Sequence, residues 1–332
     1  MSFDRFFRPV KSTNVRLYSL TLALFACASL GLAGSMEESR LLASGLASAS
    51  EGRWDEAIRS FEEAARIGPD RAAAQYNLGV AHAALGQRAE AVRAYREAIR
   101  LRPFPEALVN LGVELARLGR HDEARAALAA AIRLVPNSPQ AYHNLGVALA
   151  QSGHPAEAAD ALRRAIALQP GLKPAYDALG LCLLDLRRPA EALRAYQQAA
   201  RLAPADPEAL YNVGVALARL ARWPEAAAAY RESLALSPLR PQAWDGLGIA
   251  LARQQRHQEA IDSYDRALQS RPDLAEALYN RAVSLAAMGR YAEAARDCRE
   301  ALRLNPRLPR ARALLKEALE ASGGSAATRV AL

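Results

Sequence analysis

The sequence predicts an all-α protein made of repeated helix pairs, and three observations lead to that prediction. Residues 141–170 read AYHNLGVALAQSGHPAEAADALRRAIALQP and carry apolar or small residues at helical spacing in two runs. The turn Gly153-His154-Pro155 separates the two runs, because proline suits the first turn of a helix but not its interior. Segments related to this one recur along most of the chain, so each predicted helix pair has a neighbouring copy.

The copies are spaced 34 residues apart, except for one interval of 33 residues. They start at Glu38, Ala72, Pro105, Pro139, Lys173, Pro207, Pro241 and Ala275. The twentieth place is Ala and the thirty-second place is Pro in all eight copies. The eighth place is Gly in seven copies and Ala282 in the last. Small residues are expected at these places because larger side chains would hold the crossing helices apart.

This combination resembles the tetratricopeptide repeat, whose period and whose Leu-Gly, Ala and Pro places the copies share. The resemblance covers residues 38–308 and implies a right-handed superhelical solenoid of eight helix pairs. A single pair leaves an apolar edge uncovered, so the pairs are expected to stack. A further helix over residues 309–322 is predicted to cap the last pair, and residues 323–332, rich in Gly and Ala, are predicted to be a disordered tail.

Capping residues mark where some of the predicted helices begin. Ser138 and Asp206 directly precede Pro139 and Pro207. A short polar side chain before a first-turn proline can accept a hydrogen bond from a free backbone N–H of the helix start. We therefore predict N-caps at Ser138 and Asp206.

Residues 1–35 do not follow the repeat and are predicted to be a signal peptide or membrane anchor. Basic residues precede the uncharged run at 17–34, LYSLTLALFACASLGLAG. Leu24-Phe25-Ala26-Cys27 resembles a bacterial lipobox, in which Cys27 would be lipidated. Cleavage, lipidation and retention all remain open and imply an exported, periplasmic or membrane-anchored protein. If translation instead starts at Met36, the protein would be cytoplasmic.

The motifs of catalysis are missing from the sequence. It contains no Gly-rich phosphate loop, no His/Cys cluster with metal-ligand spacing and no nucleophile motif. Cys182 and Cys298 lie three repeats apart, which is too far for a disulfide in a stack of repeats. We predict a non-enzymatic protein with no catalytic residues, no metal, no cofactor and no small-molecule substrate.

The net charge of +8 gives only weak information about partners, since residues 1–35 contribute +3 of it. Acidic residues alternate with the arginines throughout the repeats. This mixture argues against a continuous basic stripe, so we predict no nucleic-acid partner.

The family resemblance implies a concave groove lined by the first helix of each pair, with places two, five, six, nine, twelve and thirteen facing it. Place six carries an amide in five copies: Asn77, Asn110, Asn144, Asn212 and Asn280. This row is similar to the asparagine ladder in the superhelix of O-linked N-acetylglucosamine transferases. An amide both donates and accepts, so such a row can bind the backbone of an extended peptide.

Tyrosines and valines flank the predicted ladder and would make the groove partly apolar. Place five carries Tyr76, Tyr211 and Tyr279, and place nine carries Val80, Val113 and Val147. The chaperone-binding members of the family use Lys and Asn at these two places, so this chain departs from them. Alternatively, the asparagines and valines only pack against the next helix.

Together these observations predict a protein–protein interaction scaffold that binds an extended peptide segment and is exported or tethered to the membrane through residues 1–35. One alternative is a substrate-recruiting subunit of a separately encoded glycosyltransferase or secretion enzyme. Another is an envelope or pilus assembly lipoprotein.

Overall fold

A computed structural model describes residues 36–68 and 70–322 of the chain. These residues form α-helices joined by short turns, with no β-strand in the part described. The all-α repeat fold predicted from the sequence is confirmed. Contacts divide the chain into two compact units, unit 1 ending at Cys182 and unit 2 beginning at Leu183.

The helices alternate as first and second members of pairs. Those of unit 1 are α1 (Met36–Ser50), α2 (Trp54–Ile67), α3 (Arg71–Ala84), α4 (Arg88–Leu101), α5 (Pro105–Arg117), α6 (His121–Leu134), α7 (Pro139–Gln151) and α8 (Pro155–Leu168). Helix α9 (Lys173–Asp185) contains the boundary between the units. Those of unit 2 are α10 (Pro189–Leu202), α11 (Pro207–Arg219), α12 (Trp223–Leu236), α13 (Pro241–Ala252), α14 (His257–Ser270), α15 (Ala275–Ala287), α16 (Tyr291–Leu304) and α17 (Pro309–Ala321).

Within each unit, a first helix packs on its second helix, which packs on the next first helix. First helices of successive pairs also touch: α5 touches α7 in unit 1, and in unit 2 α11 touches α13, α13 touches α15, and α15 touches α17. The second helices of successive pairs make no comparable contact in the described residues. The first helices therefore lie on the inner side of each unit, and we call the surface that they present the inner wall.

Glycine at place eight lets the two helices of a pair approach closely. A Cβ atom on Gly112 would lie 2.5 Å from Leu128 Cγ, and one on Gly79 would lie 2.5 Å from Tyr95. The last repeat is the exception, because it combines Ala282 with Cys298 at the place where other repeats carry Leu or an aromatic residue. Ala282 and Cys298 belong to one buried cluster, so a smaller partner accompanies the added methyl group.

The turns within the pairs use a left-handed residue at place fifteen. Gly153 has φ of 82°, and the other described glycines at this place have φ of 74° to 79°. Three repeats carry a side chain there instead, with φ of 56° at Arg187 and Ala221 and 62° at Gln255. Because a Cβ atom is unfavourable in this region, these three turns are strained relative to the glycine turns.

Both predicted N-caps are confirmed. Ser138 Oγ accepts a hydrogen bond from the Ala141 N–H at 3.2 Å, and Asp206 Oδ1 accepts one from Glu208 N–H at 2.9 Å. Several second helices begin differently, with an arginine that binds a glutamate three residues later. These pairs are Arg53–Glu56, Arg120–Glu123, Arg188–Glu191, Arg222–Glu225, Arg256–Glu259 and Arg290–Glu293.

Helix α17 packs on α16 through Leu315 and Ala318, which are buried. Its fourth and eighth places, which hold Leu108 and Gly112 in α5, carry the exposed cations Arg312 and Lys316. This charged face does not offer the apolar surface that another second helix would need.

The signal or anchor predicted for residues 1–35, including Cys27, and the tail predicted for residues 323–332 lie outside the described residues. Among the helices that are described, none combines the length and apolar character needed to cross a bilayer.

Candidate functional site

The five predicted ladder asparagines lie on first helices but differ in exposure. Asn77 is 4% exposed and Asn212 is 8% exposed, so neighbouring side chains cover both. Asn110 and Asn144 are half-buried on adjacent, touching helices of unit 1, and Asn280 is half-buried in unit 2. The accessible part of the ladder is therefore Asn110 with Asn144, and Asn280 separately.

Hydrogen bonds within the wall orient the accessible amides. Asn110 Nδ2 donates to Tyr76 Oη at 3.4 Å, and Gln140 Nε2 donates to Asn144 Oδ1 at 3.3 Å. Asn280 Nδ2 donates to Asp245 Oδ1 at 3.2 Å. Each amide thus retains hydrogen-bonding capacity beyond its bond within the wall.

The amide nitrogen of Asn212 is buried and has no hydrogen-bond partner in the described residues. A buried donor without a partner is costly, so Asn212 lowers the stability of the wall rather than adding to its accessible surface.

Two of the three predicted tyrosines are covered by residues from the end of their own repeat. Tyr76 is 2% exposed and stacks on Phe104 with ring centroids 4.7 Å apart. Tyr211 is 8% exposed, and the Arg240 guanidinium carbon lies 4.6 Å above its ring centre. Tyr279 remains half-buried in α15.

The predicted valines form a partly exposed apolar row in unit 1. Val80, Val113 and Val147 lie at the same place of α3, α5 and α7 and are all half-buried. In unit 2 the equivalent Val283 is 41% exposed. The wall of unit 1 therefore offers small apolar side chains next to the half-buried amides of Asn110 and Asn144.

Burial controls the titrating groups at place five. It raises the pKa of Tyr76 to about 12, and it lowers the pKa of His143 to about 4. Burial also raises the pKa of Asp245 to about 6, although the bond from Asn280 partly opposes this. At neutral pH, Tyr76 and His143 are therefore uncharged.

Arginines end several first helices, although none of them is among the groove residues predicted from the sequence. Arg117 Nη1 lies 2.6 Å from Glu114 Oε1, and the Glu114 side chain is almost fully buried. Arg219 and Arg253 occupy the same place in unit 2, but position ten there is Ala216 and Ala250. The sequence shows this difference directly. The residue three positions before the arginine is Glu in unit 1 and Ala in unit 2.

A partly buried ion cluster joins the last two repeats of unit 2. Arg281 donates to both carboxylate oxygens of Asp297 at 2.7 Å and to Asp265 Oδ1 at 2.5 Å. Place seven, where Arg281 lies, is Leu or Val in most other repeats. Because all its charged partners belong to the chain, this cluster is structural rather than a free binding site.

Nothing among the residues described assembles a metal or thiol centre. The described ranges contain no group of three or more His, Cys, Asp or Glu side chains that could hold a metal ion. Cys182 and Cys298 are both buried, and burial raises the pKa of the Cys298 thiol to about 12. A buried, protonated thiol such as Cys298 is a poor nucleophile.

Comparison with known proteins agrees with the repeat fold. A profile of the tetratricopeptide repeat matches residues 42–107, 109–173, 178–241, 219–275 and 246–309. These matches cover most of the chain, which therefore belongs to the tetratricopeptide repeat family. No curated protein matches the sequence.

Solved structures with a similar fold share little sequence with this chain. The APC/C hetero-tetramer Cut9-Hcn1 is 19% identical with a TM-score of 0.58; the match covers 88% of this chain but only 57% of that one. PilF of Pseudomonas aeruginosa is 21% identical over 64% of this chain and 97% of its own, with a TM-score of 0.56. A tetratricopeptide repeat protein of Parabacteroides merdae is 15% identical over 74% of this chain and 97% of its own, also at 0.56. These likenesses concern the fold alone.

Proposed function

We propose that the inner wall of this repeat protein binds an extended segment of another protein. The observation that carries the proposal is the combination of half-buried amides and small apolar side chains on touching first helices of unit 1. Asn110 and Asn144 offer donors and acceptors to a peptide backbone, while Val113 and Val147 offer apolar contact to its side chains.

The packing of the repeats supports a binding function rather than a purely internal role for this surface. Helices α5 and α7 already bury the alanine at place three and the glycine at place eight, and α5 also buries the leucine at place seven. Four side chains of these helices remain half-buried at the surface of that packed layer: Asn110, Val113, Asn144 and Val147. A preformed, ordered wall lowers the entropic cost of binding because little of it must be ordered by the ligand.

A displayed library of random 12-residue peptides is a suitable probe. Peptides selected on the full chain should bind the Asn110→Ala, Asn144→Ala double variant roughly tenfold more weakly or worse, because backbone hydrogen bonds are lost at the centre of the site. Fluorescence anisotropy of labelled peptides measures the affinities, and circular dichroism checks that the helices are retained.

The control removes the same number of amides from another surface. Gln197 and Gln198 are exposed on α10, so Gln197→Ala with Gln198→Ala should leave the affinity unchanged. Equal binding by both double variants, or failure to select any peptide, would contradict the proposal.

We also propose that residues 1–35 export the repeats or tether them to a membrane. The basic residues followed by the uncharged run at 17–34 support this, and Cys27 supports lipidation as one route. Mass spectrometry of the mature protein should show either a new N-terminus beyond residue 25 or a lipid on Cys27. An unmodified chain starting at Met1 and recovered entirely from the soluble cytosolic fraction would contradict the proposal.

A further inference from the structure

The arginine at place thirteen forms an ion pair within the protein in unit 1, but the two arginines at this place in unit 2 do not. In unit 1, Arg117 is bound by Glu114, which lies one helical turn earlier on the same helix. In unit 2, Arg219 ends α11 and Arg253 follows α13. No carboxylate of the described residues lies within ion-pair distance of either Arg219 or Arg253.

Aromatic side chains lie close to the two guanidinium groups of unit 2. The Arg253 guanidinium carbon lies 5.6 Å from the centre of the Trp223 ring, so its N–H edges remain available. Burial raises the pKa of Tyr230 and of Tyr264, while the charges of Arg219 and Arg253, respectively, oppose that rise. Each arginine therefore lies close to a buried tyrosine of its own helix pair.

The nearby acidic groups have other partners or lie further away. Asp245 accepts a hydrogen bond from Asn280, and Glu208 binds Arg240. Glu208 is also at the opposite end of α11, about 16 Å from its C-terminus at 1.5 Å per residue. Asp185, at place thirteen of the preceding repeat, has a pKa raised by burial and feels the Arg219 charge without reaching ion-pair distance.

The exposed guanidinium groups thus form one edge of the inner wall, which we call the arginine edge and define as Arg219 and Arg253. Helices α11 and α13 touch, and packed helix axes lie about 8–10 Å apart. A chain in the polyproline II conformation rises about 9 Å in three residues, which is one full turn, so side chains three positions apart share a face and can reach both arginines. Guanidinium groups bind carboxylates through two parallel hydrogen bonds.

We propose that the arginine edge of unit 2 selects protein segments carrying two acidic residues three positions apart. This inference rests on the proposed function of the inner wall and adds the chemistry of its ligand. In unit 1, the buried carboxylate of Glu114 already occupies the equivalent Arg117, so no such preference is expected there.

Selection from a random 12-residue peptide library on the full chain tests the proposal. The selected peptides should be enriched in Asp or Glu pairs at positions i and i+3, and changing both residues to Gln or Asn should weaken binding about tenfold. The Arg219→Gln, Arg253→Gln double variant should lose this enrichment while still selecting peptides. The matched control changes Arg231 and Arg266, exposed arginines on second helices α12 and α14, to Gln and should keep the enrichment.

A reciprocal variant extends the test to unit 1, whose one arginine at place thirteen is Arg117. Glu114→Ala gives position ten the alanine found in most repeats and removes the carboxylate that binds Arg117, so peptides with a single acidic residue should bind more tightly to it. Peptides selected without acidic enrichment, or enrichment that survives in the Arg219→Gln, Arg253→Gln variant, would overturn this inference while leaving the proposed function intact. Failure to select any peptide would overturn both.

Discussion

The described parts of the two units differ in charge and in how closely they keep to the repeat. Residues 36–182 contain 17 basic and 17 acidic side chains, whereas residues 183–322 contain 21 basic and 17 acidic ones. All four turns at place fifteen in unit 1 are glycine, whereas three of the four in unit 2 carry a side chain at positive φ. Place seven loses its usual apolar residue once in each unit, to the neutral Ser44 in unit 1 and to the charged Arg281 in unit 2.

These differences separate two kinds of position in the repeat. Places where helices cross, such as Gly112 against Leu128, accept change only when the partner changes as well, as in Ala282 with Cys298. Turns and wall positions accept change more freely, at a modest cost in stability. Differences in ligand preference between the units are therefore expected at wall positions, where Arg219 and Arg253 lie.

The largest expected effect comes from the ion cluster of unit 2. Arg281→Leu, which introduces the residue found at Leu111 in unit 1, should lower the free energy of unfolding by about 3 kcal/mol. The reason is that Asp297, 8% exposed, would lose its charged partner in a buried position. Urea denaturation followed by circular dichroism at pH 7 measures the change.

A second substitution in the same protein should restore the lost stability, because it recreates the pair of residues found at these places in unit 1. Arg281→Leu combined with Asp297→Ala reproduces the pairing of Leu111 with Ala127 and should recover most of the lost stability. A double variant as unstable as the single variant would show that the cluster does not act through the unpaired carboxylate.

The next effect concerns the helix crossing at place eight. Gly112→Ala should destabilise unit 1 by about 2 kcal/mol, because its Cβ would lie 2.5 Å from Leu128 Cγ in a fully packed interior. Thermal unfolding compared with the parent chain measures this. In unit 2, Cys298→Leu should also destabilise, and adding Ala282→Gly should reverse most of the loss; no reversal would contradict the coupling of the two places.

A smaller effect depends on pH and is confined to unit 2. Burial raises the pKa of Asp245 to about 6 in the folded protein, above the ordinary value of 3.8. The folded state therefore holds this proton more tightly than the unfolded state, so the stability that this carboxyl group contributes is full below about pH 4 and is lost as pH rises from 4 through 6.

The comparison that isolates this group is with Asp245→Asn, which cannot titrate. Relative to that variant, the parent chain should lose about 1 to 2 kcal/mol of unfolding free energy between pH 4 and pH 7. Glu276, Arg271 and Asn280 act on the same carboxylate and are kept in both proteins. Parallel pH profiles for the two proteins would be inconsistent with a raised pKa.

The smallest effect is expected at the strained turns. Ala221→Gly should stabilise unit 2 by about 0.5 to 1 kcal/mol, because it removes a Cβ atom from a residue with φ of 56°. The reverse change, Gly153→Ala in unit 1, should destabilise by a similar amount. Melting temperatures that move in the same direction for both variants would contradict the backbone strain inferred from the positive φ angles.

The sequence was sufficient for the repeat, the helix pairs and the caps at Ser138 and Asp206, because these follow from local spacing and residue type. It was not sufficient for the exposure of the wall. Phe104 and Arg240, from the variable end of their repeats, cover Tyr76 and Tyr211. Such contacts follow no period, so they become visible only when the side chains are placed in three dimensions.

The central claim is that another protein segment lies along the inner wall, and crosslinking tests it most directly. A photoreactive benzoylphenylalanine replaces Val113 or Val283 on first helices in one set of proteins, and the exposed Arg133 or Arg299 on second helices in another. Peptides selected on the parent chain should crosslink to the first set and not to the second. Crosslinking only at positions 133 and 299 would contradict the account.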